Sequence, residues 1–126
     1  MTDSSKLSAE ERDALTLLGR LFLTQGFPDR SVRIFAALEV LEPEDLYYKR
    51  ALALAHFRAG RAQESLSTLD RLAERGGIDE GFHFLRSHVL GDLDRKDEAA
   101  AAMRAYLDLK DPPKPEKAKT KATPNS

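Results

Sequence analysis

The feature that most constrains this chain is a period of 34 residues. Gly26 and Gly60 stand one period apart. So do Ser31, Ser65 and Ala99, then Phe35, Leu69 and Met103, then Leu38, Leu72 and Tyr106. Gly19, Ala53 and Ser87 form a further class of small residues at the same spacing. A period of this length is that of a helix–turn–helix unit, and such a unit cannot bury its apolar face alone. The small residues let the two helices of a unit approach closely. Phe35, Leu69 and Met103 are then expected to fill the space between successive units.

Local signals place six helices on this frame. Ser8 and Glu11 form a capping box, and Leu15, Leu18 and Phe22 follow at helical spacing. Gly26 suits the position just past a helix end and Pro28 the first turn of the next helix. The second helix carries Val32, Phe35 and Leu38 and stops near Pro43. The third is expected from about Glu44 to Ala59, ending at Gly60. The fourth spans about Ala62 to Arg75 and stops at Gly76-Gly77. Asp79 caps the fifth, which ends near Gly91 to Leu93. Asp94 is expected to cap the sixth, with Asp97 and Glu98 in its first turn, and Pro112-Pro113 closes it. No strand pattern competes.

Composition agrees with one small domain. The chain has 126 residues, 41% hydrophobic and 33% charged, with a net charge of −1 and no cysteine. Disulfides and thiolate chemistry are thereby excluded, and no global field draws the chain to nucleic acid or an anionic membrane. The N-terminus lacks the apolar core of a signal peptide, and no apolar run approaches the roughly 18 residues of a membrane span, so a cytoplasmic protein without membrane insertion is expected. Residues 1–110 form the expected repeat domain. From Asp111 onward, four lysines face two carboxylates among four prolines, with no large apolar residue. This tail, 111–126, is expected to be disordered. Its lysines either contact an acidic partner or simply keep the chain soluble.

These residues resemble the tetratricopeptide repeat over about residues 12–111. In the first unit (about 12–45) Leu15, Leu18, Gly19, Phe22, Gly26, Phe35 and Pro43 occupy that family's large, large, small, aromatic, glycine, aromatic and proline positions. The second unit (46–79) keeps Leu52, Ala53, Gly60, Leu69 and Leu72 but has Lys49 at a large position and Gly77 where proline is usual. The third (80–111) keeps Ser87, Leu90 and Ala99 but puts His83 and Arg86 at large positions and Asp94 at the turn glycine. The implied fold is all-α: three helix pairs in a short right-handed α-solenoid. A narrower likeness is to the small repeat chaperones of bacterial type III secretion. It rests on Phe22-Leu23 before Gln25-Gly26, and on Phe35-Ala36-Ala37-Leu38 before Leu41 and Pro43.

The resemblance also implies which side chains line the concave face, because the first helix of each pair faces inward. These are Asp13, Thr16, Arg20, Leu23 and Thr24 in the first unit. Tyr47, Arg50, Leu54, Phe57 and Arg58 follow in the second, and Gly81, Phe84, His88, Gly91 and Asp92 in the third. The middle is apolar and aromatic (Leu23, Tyr47, Leu54, Phe57, Phe84), with Arg20, Arg50 and Arg58 at its rim and His88 beside it. Such a surface suits a protein or peptide partner anchored by apolar side chains, with arginines orienting carboxylates or carbonyls. It lacks the Lys/Asn clamp some repeat cochaperones use on a C-terminal carboxylate. The alternative for Tyr47, Phe57 and Phe84 is that they pack between helices.

A second expected surface lies on the last helix, which has no following cap. Met103, Tyr106 and Leu107 are expected to form an exposed strip, used for self-association as a homodimer or for a heterologous partner in a heterodimer. Otherwise the alanine-rich outer face stays wet. The two surfaces give two functions: a chaperone or adaptor holding a partner segment in its groove, or a scaffold assembling through the last helix.

Enzymatic, cofactor and metal chemistry find no support. His83 and His88 are five apart, which is not same-face spacing, and His56 lies on another helix. Asp92, Asp94, Asp97 and Glu98 lack the glycine of a calcium loop. No phosphate loop or nucleophile motif occurs. Glu10-Glu11 and Glu42-Glu44 read as solvated carboxylates. The arginines are interleaved with Asp and Glu, so no basic stripe for nucleic acid forms.

Overall fold

The computed structural model describes residues 7–111. The tail expected to be disordered therefore lies, beyond Asp111, outside the described residues. Within them are six helices and no strand: α1 (Ala9–Thr24), α2 (Pro28–Leu41), α3 (Leu46–Arg58), α4 (Ala62–Glu74), α5 (Glu80–Asp92) and α6 (Lys96–Lys110). Each packs on its neighbours in chain order, and α3 also meets α5. No helix among the described residues is long and apolar enough to cross a membrane.

The helix ends follow from identifiable side chains. Ser8 and Glu11 form the reciprocal capping box at α1. Pro28 opens α2, where its missing N–H has no partner to lose. Asp45 caps α3 through the Tyr47 N–H, so this helix starts two residues later than Glu44. Asp79 caps α5 through the Phe82 N–H.

Asp94 does not cap α6. The N-cap is Arg95, with no side-chain cap hydrogen bond, and Asp94 instead has a φ of 61°. Gly26 (87°) and Gly60 (78°) share this left-handed conformation at the same point of their own units. The turn between paired helices requires positive φ here, and in the third unit an aspartate accepts it. Aspartate tolerates this region better than most residues, yet still pays for its Cβ. Asp94→Gly is therefore expected to stabilise the fold by about 0.5–1 kcal/mol, a few degrees in Tm, and Asp94→Val to lower it. Thermal unfolding of the three proteins checks the order.

The core is shared between units. One cluster joins Val32, Phe35 and Leu38 of α2 to Tyr48, Ala51, Leu52 and Ala55 of α3. The other joins Ala53 and the leucines of α4 to Phe82, Val89 and Leu90 of α5 and Ala102 of α6. Phe35 and Leu69 are fully buried, whereas Met103, one period on, is only half-buried because no unit follows it among the described residues. The small-residue class explains the tight pairing of α1 with α2. A Cβ built on Gly19 would lie 2.8 Å from the Phe35 ring. In the second unit Ser65 Oγ donates to the Ala53 carbonyl at 2.7 Å, while Ser31 Oγ, its counterpart, has no partner among the described residues.

Charge also ties the units. Arg61 pairs with Asp29 at 2.7 Å and Arg75 with Glu44 at 2.8 Å, both well exposed and worth little singly. Glu39 is different. Arg71 forks onto it with three contacts of 2.8–3.2 Å, and Lys49 Nζ lies 3.5 Å from it. The Lys49 side chain is 5% exposed, and its ammonium also donates to the Pro43 carbonyl at 2.8 Å. The polar residue at a large-residue position is thus accommodated by a buried ion pair between α2 and α3.

His56 of α3 sits near this cluster. Burial lowers its pKa from 6.5; Glu64 and Glu39 act against the shift and Arg61 and Arg71 add to it. Its Nδ1 is buried without a partner among the described residues. The folded state thus favours the neutral ring, and the unfolded chain binds the extra proton first. Stability is expected to fall as pH drops through 6.5 towards the lowered folded value. Urea midpoints at pH 7.5 and 5.5 check this; His56→Leu should remove that part of the loss.

Candidate partner-binding groove

The groove is built from alternate helices. Because α1, α3 and α5 are the first members of their pairs, they lie side by side, and their facing side chains leave two adjoining cavities. The larger, about 490 Å³, lies between α3 and α5 and is lined by Arg50, Leu54, Phe57, Arg58, Gly81, Phe84, Leu85 and His88. Leu69, Leu72 and Phe82 form its floor. The smaller, about 270 Å³, lies between α1 and α3 and is lined by Arg20, Leu23, Thr24, Tyr47, Arg50, Ala51 and Leu54, over Phe35. Arg50 and Leu54 line both, so the cavities adjoin along one track.

All nine groove residues named from sequence therefore stand on these walls: Arg20, Leu23, Tyr47, Arg50, Leu54, Phe57, Arg58, Phe84 and His88. Of the other inward positions, Thr24 and Gly81 line the cavities, whereas Asp13, Gly91 and Asp92 line neither. Thr16 also stays out. Its hydroxyl donates to the Arg12 carbonyl at 2.8 Å and lies 3.1 Å from the Tyr48 hydroxyl.

Aromatic contacts stiffen the walls. Tyr47 meets Phe35 edge-on with centroids 6.2 Å apart, and His88 meets Phe84 at 4.6 Å and Phe57 at 6.4 Å. Tyr47 and Phe84 remain 40% and 44% exposed, so these rings pack on a neighbour and still present a face to solvent. The arginines differ. Arg50 is held by the Gly77 carbonyl at 3.2 Å and Asp79 at 3.1 Å, with its Nε buried and unpartnered among the described residues. Arg20 and Arg58 make no ion pair among the described residues. The track is thus an apolar floor and wall with two uncommitted cations at its edge.

The three terminal-helix residues stand at i, i+3 and i+4 on one side of α6 but differ in exposure. Tyr106 packs against Phe84 at 4.9 Å, with the Lys110 ammonium over its ring, and so extends the aromatic wall of the third unit. Met103 is half-buried, and only Leu107, at 50%, is exposed. Sequence reasoning did not place the cavity floor. Phe35 and Leu69 are legible as filling between units, but that an inter-unit filler also floors a groove requires the packing itself. Among the described residues no group of three His, Cys, Asp or Glu could hold a metal ion.

Comparison with known families adds one finding. The family model for the tetratricopeptide repeat matches residues 16–80, just over half of the chain. No curated protein matches the sequence.

Proposed function

From the premise that this chain belongs to the tetratricopeptide-repeat family, whose members generally mediate protein–protein interaction, we propose that it is a chaperone or adaptor holding a partner segment in the α1–α3–α5 groove. The observation that carries this reading is the pair of apolar cavities adjoining at Leu54, with Arg20 and Arg58 beside them making no ion pair among the described residues. A track of this form suits an amphipathic helix with two apolar anchors and an acidic flank. The anchors enter the two cavities and the carboxylates meet the arginines. Apolar walls with few polar groups favour shielding of a sticky segment over chemistry on it. The likeness to the small repeat chaperones of type III secretion supports a client held in the cytoplasm before export.

Photo-crosslinking in the native cell tests the proposal. A photoreactive phenylalanine analogue at Phe57 should form an adduct with a partner. The same analogue at Val40, 76% exposed and away from the groove, should not. Adducts at Val40 and none at Phe57 would contradict it.

A further inference from the structure

Among the described residues, an exposed apolar stripe runs along α1. Leu17, Leu18 and Leu21 are 58%, 41% and 46% exposed, and Ala14 beside them is exposed too. These four residues lie at i, i+3, i+4 and i+7, which is one stripe of a helix. The period of 34 identifies what this stripe is for. One unit later it becomes Tyr48, Ala51, Leu52 and Ala55, all buried against α2. In the third unit its ends are Phe82 and Val89, again buried. The stripe on α1 is thus the docking face that every later unit uses, and no described element covers it.

We propose that a second copy of this chain covers it, with the two α1 helices antiparallel about a two-fold axis between Leu17 and Leu18. The stripe is self-complementary in that arrangement: Leu17 meets Leu18 of the other copy, and Ala14 meets Leu21, a small residue against a large one. The charges agree. Asp13 and Arg20 lie on the same flank of the stripe, on opposite sides of the axis, and neither makes an ion pair among the described residues. Antiparallel pairing brings Asp13 of each copy towards Arg20 of the other, which leaves Arg58 to meet the carboxylates of a groove-bound partner, and it sets the two helix dipoles antiparallel. The alternative within the repeat logic is a head-to-tail contact of α1 with α6. The α6 surface suits it poorly: of the residues that the period places on its docking side, Met103 is half-buried and Tyr106 is already packed against Phe84. That contact is heterologous and would build a ring or an open filament rather than a closed pair.

Sedimentation and light scattering on the full chain test the pairing. The wild type should reach twice the 14.1 kDa of one chain as concentration rises. Leu17→Glu and Leu21→Glu should each weaken the dimer by tenfold or more, on the order of a hot-spot loss, with helicity unchanged because both positions are exposed. Asp13→Arg and Arg20→Asp should each weaken it, and the double exchange should restore it. Since the chain has no cysteine, single introduced thiols report the orientation. Leu17→Cys should oxidise to a disulfide-linked dimer. Gln25→Cys should not, because the two copies of that residue would lie roughly 20 Å apart along the helix axis. A wild type that stays monomeric at all concentrations overturns the proposal. So does a dimer insensitive to both leucine variants, one abolished by Leu107→Glu, or equal cross-linking through Gln25→Cys.

Discussion

Glu39→Ala should destabilise the fold by about 3–5 kcal/mol, the largest effect expected of any surface-reaching charge in this chain. The Lys49 ammonium is buried, and its compensation comes from the Pro43 carbonyl and from Glu39, whose carboxylate also holds the Arg71 fork. Removing the carboxylate leaves a positive charge in an apolar setting with one neutral acceptor. Against a typical domain stability of about 5–15 kcal/mol, that loss brings the chain close to unfolding. The reverse replacement behaves differently. Lys49→Met puts an apolar chain where the repeat pattern wants one and leaves Glu39 with Arg71, so it should be neutral or stabilising. The double variant should recover most of the loss caused by Glu39→Ala. Urea unfolding of the four proteins measures the cycle. A Glu39→Ala loss below about 1 kcal/mol would mean that water solvates Lys49.

The second large effect is on binding. Leu54→Glu and Phe57→Glu should each lower partner affinity by about 100-fold, as expected when a central hot spot is lost and a carboxylate is forced against an apolar side chain. Leu54 is the shared wall of both cavities, so its replacement damages the whole track, whereas Phe57 serves only the larger one. Neither side chain is fully buried in the free chain, so circular dichroism should report unchanged helicity. Calorimetric titration of the segment recovered from the Phe57 photo-adduct gives the affinities. Equal affinity for wild type and Leu54→Glu would place the partner elsewhere.

Much of this is legible in the sequence. The period of 34 located all six helices, because Gly26 and Gly60 at positive φ and caps at Ser8 and Asp79 are local signals that need no tertiary context. The groove positions were legible through the family's geometry, since the inward face of a first helix follows once the repeat register is known. Three features were not. Asp94 reads equally as a cap or a turn residue, and only the backbone shows that it does the work of a glycine. Lys49 reads as a defect in the pattern until the fold brings Glu39 to it. The stripe on α1 is hidden for another reason. Leu18 and Leu52 occupy the same repeat position, yet one is 41% exposed and the other 3%. Helical periodicity marks a face as apolar but does not say whether a unit lies against it.

The most direct test of the groove is a methyl spectrum of the leucine-labelled chain, free and with the partner segment bound. Leu23, Leu54 and Leu85 line the cavities, while Leu107 and Leu109 lie exposed on α6. A partner held in the groove should shift the methyl signals of Leu23, Leu54 and Leu85 and leave those of Leu107 and Leu109 in place. Movement of Leu107 and Leu109 with Leu23 and Leu54 unchanged would contradict the account and assign binding to the last helix.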